Sequence, residues 1–231
     1  MGCAPQELGP SNRRARFGKS RTAQMEGNRH VGCAECRLMT RDDAWRLLTE
    51  FTASESLRKH ALAVEAAMRH YAAHFNEDVP LWGLVGLVHD FDYERWPEPP
   101  AHTREGARLL RERGVGEEIV GAMLSHAEWN QGDYPLDRPL RKTLFAVDEM
   151  CGFVMAVAYV RPERLAGMAP SSVRKKMKQK SFAAAVKRED LERGAALLEI
   201  PLDDHINHVI QALQGIAPEL GLTVPSPDPA A

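Results

Sequence analysis

LWGLVGLVHDFDYE, residues 81–94, is an apolar run that closes on a histidine and a carboxylate, His89-Asp90, followed by Phe91-Asp92-Tyr93-Glu94. A packed core has no use for a bare carboxylate at that point, because burying one without a compensating charge or metal is costly. Upstream, His60 stands on a helical segment, and downstream Asp148 stands inside another apolar one. The order His…His-Asp…Asp describes a divalent metal site.

Outward from this stretch the chain reads as helix after helix. Thr40, three residues before Asp43, forms a capping box at the first helix start. Leu57, Ala61, Val64, Met68, Tyr71 and Phe75 recur at helical spacing and make one apolar stripe. Pro80 suits the first turn of a helix running to His89. His102 opens the segment Thr103–Arg113, which ends at Gly114, and Glu117-Glu118 begin a helix with Ile119, Met123 and His126 on one face. Leu140, Leu144, Val147, Cys151, Val154 and Ala158 mark another helix, ending near Pro162. A basic segment, Arg174–Arg188, leads to two late helices that finish by Pro218. No window shows the sustained alternation of a strand.

The two ends differ from this body. The first 38 residues hold seven Lys/Arg against three acids, a net of +4 in a chain of net −2, so the body carries −6. Without apolar periodicity, residues 1–38 read as a disordered basic leader or an upstream start wrongly assigned. Residues 39–222 then form one domain, and 223–231, rich in proline, an unstructured tail. The pair Cys33/Cys36 has no second Cys/His pair at zinc-knuckle spacing and is read as incidental. Gly2-Cys3 is followed by Gln6 where an acylation signal wants Ser or Thr. Cys151 alone falls in the body, which fits a reducing, cytoplasmic setting. The small net charge exerts no global pull on nucleic acid or membrane, and no apolar stretch reaches spanning length.

The remaining histidines sort by helical position. His60 lies about 60° from the centre of its stripe, at the edge of the core. His126 continues an inward-facing stripe, and His102 sits near a helix start. His70 and His74, an i,i+4 pair able to bind adventitious metal, fall on the solvent side by the same count and are read as a solvated face. His205 and His208 lie in a polar helix start, Asp203–His208, and receive no role. Asp148 follows Val147 beside the Leu144–Cys151 stripe, where an acid is rare without a partner; its alternative is a rim position paired with Arg141 or Lys142. Singly these are weak signals, but the ordered set His60, His89, Asp90, His102, His126 and Asp148 is not an accidental one.

That series resembles the HD-domain metalloprotein superfamily, whose signature is a helix-borne His, a His-Asp dyad and a distal Asp. From Leu57 to about Leu222 the chain also resembles an uncharacterised branch of HD hydrolases. The residues that carry this likeness are Leu87–Glu94, His102 with Gly106-Ala107, Ser125-His126, Val147-Asp148-Glu149 and Lys178–Ala183. The resemblance implies an all-α HD-type helical bundle with a metal centre in its core. It assigns His60, His89, Asp90 and Asp148 to a first metal, with Asp90 bridging to a second completed by His102 and His126.

Such a donor set suits one or two divalent ions (Mn, Fe, Co, Ni or Zn, with Mg wanting more oxygen). The expected activity is a phosphohydrolase that attacks a phosphate ester of a nucleotide or small phosphorylated metabolite with metal-activated hydroxide, His89 and Asp90 at its centre. Lys178 and Lys180, in the acid-free basic stretch from Arg174 to Arg188, are the expected phosphate contacts. No nucleic-acid surface is expected, because no aromatic set accompanies the charge. Two alternatives stand beside this: an HD-type diiron oxygenase of a small polar substrate, and a non-catalytic metal- or ligand-binding HD domain.

Overall fold

The structure, a computed structural model, describes residues 39–224. Among the described residues all regular structure is helical: α1 (Arg41–Phe51), α2 (Glu55–Phe75), α3 (Val79–Val88), α4 (Ala101–Glu112), α5 (Glu117–His126), α6 (Pro139–Tyr159), α7 (Pro170–Met177), α8 (Arg188–Leu197), α9 (Leu202–Gln214) and α10 (Ala217–Leu220), with a 3-10 turn at Glu128–Asn130. The all-α class read from the sequence holds. The basic leader, its Cys33/Cys36 pair and tail residues 225–231 lie outside the described residues. No helix among the described residues is long and apolar enough to cross a membrane.

The capping box is formed: Thr40 Oγ1 accepts from Asp43 N–H at 3.1 Å while the Asp43 carboxylate accepts from Thr40 N–H at 3.2 Å. α2 and α3 make a tight hairpin. Asn76 closes α2 in the left-handed region (φ 58°), and the Glu77 N–H reaches back to Ala72 O at 2.8 Å. Asp78 then caps α3 by accepting from Leu81 N–H at 2.9 Å, with Pro80 in the first turn. α3 is apolar on nearly every face, which suits a helix packed on several sides at once.

Gly86 sets the distance between these helices. A Cβ there would stand 2.8 Å from the Val64 carbonyl oxygen, so the two backbones touch. His89 follows Gly86 by nearly one turn, and His60 precedes Val64 by one turn. Because the hairpin is antiparallel, the two rings meet, their centroids 5.3 Å apart.

α6 runs through the middle of the molecule, packing against α2, α5, α8 and α9. A buried polar chain ties three helices together: Tyr71 OH on α2 donates to His205 Nδ1 on α9 at 2.6 Å, and His205 Nε2–H donates to Ala146 O on α6 at 3.0 Å. This corrects the reading of Asp203–His208 as a polar helix start. Its acids face solvent, but His205 is fully buried, and burial pushes its pKa down to about 4. His70 is likewise half-buried rather than on the solvent side, because His208 leans against it. Helix also continues past the expected end, with Pro218 in the first turn of α10.

Candidate metal centre

All six residues expected as ligands converge. His60, His89, Asp90 and Asp148 each offer a ligand atom within 4.8 Å of the others, and Asp90, His102 and His126 form a second such group. Asp90 belongs to both. Its two oxygens divide the work: Oδ2 lies 3.5 Å from His89 Nε2, while Oδ1 lies 3.2 Å from both His102 Nε2 and His126 Nε2. On the first side, Asp148 Oδ1 is 2.9 Å from His60 Nε2 and 3.4 Å from His89 Nε2. Asp148 therefore points into the cluster, and the rim alternative fails: Arg141 pairs with Asp137 instead.

The local fold explains why three of the four rings, those of His89, His102 and His126, present Nε2. His89 is the C-cap of α3, and its Nδ1–H donates to Gly86 O at 2.7 Å. His126 ends α5, with Nδ1–H donating to Met123 O at 2.5 Å. His102 Nδ1–H donates to Asp92 Oδ1 at 3.1 Å. A histidine whose Nδ1 is committed in this way keeps Nε2 for a metal.

Asp92 is the functional residue that the sequence reading left without a role. It is fully buried, and besides His102 its Oδ2 accepts from Thr103 N–H at 2.8 Å and Gly106 N–H at 2.9 Å. His102 is extended (ψ 137°) and Thr103 has φ 66°, so regular helix begins only after them. Positive φ in a β-branched residue costs on the order of 1–3 kcal/mol and persists only where the surroundings hold it. Here Asp92 grips the Thr103 amide, and Asn130 Nδ2–H donates to Thr103 Oγ1 at 2.8 Å. Gly106 is required for the same contact, since a Cβ there would stand 2.8 Å from Asp92 Oδ2. The strained corner holds His102 against Asp90.

The fit to metal can be tested on the polar atoms themselves. Among the described residues, His89 Nε2 and Asp90 Oδ1 are buried side-chain atoms with no hydrogen-bond partner. Buried polar atoms are nearly always satisfied, and a place for an ion is one of the few explanations when they are not. One is the ring nitrogen that faces the shared carboxylate and the other is that carboxylate's own oxygen, and the surrounding donors are imidazole nitrogens and carboxylate oxygens. The residues fit divalent metal.

Protonation in the metal-free protein follows from the same geometry. Burial opposes charge on His89, yet the charges of Asp90 and Asp148 raise it to about 9. Burial likewise opposes charge on His102, but hydrogen bonding to Asp90 and Asp92 raises it to about 10. Asp90 and Asp148 also resist ionisation through burial, and the imidazoles, His89 foremost, hold both well below the usual carboxylate range. Glu149, beside the cluster, is pushed up to about 7 by burial and by Asp148.

A cavity of about 390 Å³ opens over the cluster. Its floor includes His60, Asp90, His102, His126 and Asp148, and Tyr93, Trp129 and Phe145 contribute aromatic walls. The bases on its rim are Lys187 and Arg193. Lys187 Nζ lies 3.5 Å from Glu128, and the Arg193 guanidinium sits 4.7 Å from the Phe145 ring centre. Lys178 and Lys180 are not brought to this cavity: both are exposed in the turn that follows α7. Arg188 is also withdrawn, because its guanidinium donates to the carbonyls of Gln179, Phe182, Ala183 and Val186 and braces the loop instead. The basic stretch is continuous in sequence, but α7, the loop and α8 point its side chains in different directions. Arg193 lay beyond that stretch and carried no sequence signal of its own.

Comparison with protein-family models, with curated proteins and with solved structures returns no match.

Replacing Asp92 with Ala removes the partner of His102 Nδ1 and of two buried amides. Metal affinity on the His102/His126 side should fall about 10–100-fold, with the His60/His89/Asp148 side retained; stepwise metal titration of both proteins, showing equal loss at the two sides or none, would contradict this. Metal uptake should also release protons. With His89 and His102 both above neutrality when metal-free, filling both sides at pH 7 should liberate about two protons per chain and weaken as pH falls. Calorimetry in buffers of different ionisation enthalpy measures that number, and zero release would refute it.

Proposed function

We propose that the chain is an HD-type, metal-dependent phosphohydrolase of a small phosphorylated substrate, working in a cytoplasmic setting. The observation that carries this reading is the shared carboxylate: Asp90 offers one oxygen to each of two His/Asp groups on the floor of an open cavity. Divalent ions bound there would polarise a phosphoryl oxygen and lower the pKa of water to near neutrality, the chemistry of two-metal hydrolases.

The chain's own residues would do the rest. His60, His89 and Asp148 hold one side of the centre and His102 and His126 the other, with Asp92 and the backbone carbonyls fixing ring orientation. Lys187 and Arg193 are the rim cations placed to meet phosphate oxygens with charge-assisted hydrogen bonds. They replace Lys178 and Lys180 in that role. Tyr93 and Trp129, each near the His102 ring and partly exposed, offer apolar faces to the rest of the substrate.

A panel of phosphate esters assayed with chelator and metal add-back tests the proposal. Wild-type protein should release phosphate only with metal, and Asp148→Ala or His89→Ala should lower kcat by at least about 100-fold. Lys187→Ala and Arg193→Ala should act on KM, raising it about tenfold for loss of one charge-assisted contact. Full activity in Asp148→Ala would sink the site. The same nitrogen-rich donor set suits iron. Oxygen uptake by iron-loaded protein, without phosphate release, would move the reading to an HD-type diiron oxygenase.

A further inference from the structure

Four histidines gather along one seam away from the cavity, His70 and His74 on α2 and His205 and His208 on α9. His205 is fully buried, His70 and His208 are half-buried, and His74 is exposed. Among the described residues, every hydrogen bond that ties α9 to α2 or α6 ends on an imidazole. His70 Nε2 lies 2.9 Å from His208 Nδ1, Tyr71 OH 2.6 Å from His205 Nδ1, and His205 Nε2 3.0 Å from Ala146 O. The other buried side chains of α9 are the apolar Ile206, Val209, Ile210, Ala212 and Leu213.

These bonds need neutral rings. Ala146 O can only accept, so His205 Nε2 carries the hydrogen and Nδ1 keeps the lone pair that accepts from Tyr71. A proton added at Nδ1 would meet the Tyr71 oxygen and turn the hydroxyl hydrogen away. Tyr71 and His205 are both fully buried, where an orphaned hydroxyl and an unpaired charge are each costly. The His70–His208 bond likewise needs a lone pair between its two nitrogens; with both rings charged, two N–H groups would face each other. The His74 ring centre, 4.7 Å from that of His208, adds a third place for charge. Carboxylates give no relief: among the described residues, the imidazole–carboxylate pairs all belong to the metal cluster. The other titratable groups acting on the seam are Tyr71 of α2, Cys151 of α6 and the exposed Asp204 of α9. From α7, Arg174 meets Asp203 at the start of α9 at 3.5 Å. Neither α8 nor α10 brings a described carboxylate within ion-pair distance of the four rings.

We propose that the α2–α9 seam is a proton-operated clasp: His205, His70 and His208 hold α9 to the bundle as neutral rings, and protonation releases α9 while the helices around the cavity stay folded. This device is independent of the cavity and of the hydrolase reading.

The direction of the pH effect follows from burial. Burial lowers His205 from its ordinary 6.5 to about 4, and burial foremost, then the neighbouring imidazoles, lowers His70 and His208. A lowered histidine contributes its stability above pH 6.5 and loses it as pH falls through the folded value. From His205 alone, the opening equilibrium of α9 should rise about 30-fold between pH 8 and pH 5.

Hydrogen exchange of the full chain, followed by mass spectrometry in the presence of chelator and corrected for the intrinsic rate at each pH, provides the test. Wild-type α9 should lose protection by at least about 30-fold between pH 8 and pH 5, while α3 and α5 keep theirs. In His205→Gln the amide can accept from Tyr71 and donate to Ala146 O without taking up a proton, so most of that change should disappear. His70→Gln, at a half-buried position, should remove a smaller share and keeps the test valid if His205→Gln does not fold. An acid response of α9 that is equal in wild type and in every variant that folds would overturn the clasp. So would no response in wild type, or a loss of protection spread evenly over α3, α5 and α9, which marks global acid unfolding.

Discussion

One carboxylate, Asp90, faces imidazoles on two sides, and much of the structure exists to hold it there. Its oxygens lie within 3.2–3.5 Å of three histidine nitrogens drawn from the ends of α3, α4 and α5. A negative charge in such a place is stable only while compensated. In the metal-free protein His89 and His102 supply that compensation by carrying protons. A divalent ion could supply it instead, and His89 Nε2 and Asp90 Oδ1, without hydrogen-bond partners, are the atoms it would satisfy. Protons and a divalent ion would therefore compete for the same lone pairs.

The supporting structure is graded accordingly. The α2–α3 hairpin brings backbones into contact at Gly86, which fixes His89 against His60 with little room to move. The α4 side is held differently, by strain: Thr103 sits in a conformation that a β-branched residue rarely adopts, and Asp92 with Asn130 keeps it there. Rigid packing thus positions the first side of the centre, and a hydrogen-bonded corner positions the second. The corner lies next to Tyr93 and Trp129 on the open cavity.

Much of this was legible in the sequence. Helical stripes, the capping box at Thr40 and the turn at Asn76–Pro80 are local signals, and local signals survive in one dimension. The clustered His/Asp series was legible too, because polar residues inside apolar runs are conspicuous. Asp92 was not, since its role depends on a backbone corner ten residues away that no periodicity announces. Lys178 and Lys180 looked apt because charge density along a chain ignores direction; the turns around α7 send them to solvent, and Lys187 and Arg193 reach the cavity instead. His205 read as polar by its neighbours, yet the helix phase places it under Tyr71. Each of these misses concerns direction in three dimensions rather than residue chemistry.

The most direct measurement is anomalous diffraction from crystals of metal-loaded protein, collected at the absorption edge of the bound element. Two peaks about 3.5–4 Å apart, one among His60, His89 and Asp148 and one against His102 and His126, with the Asp90 carboxylate between them, are the result this account predicts. No peak beside Asp90, or a single ion touching none of these six side chains, would contradict it.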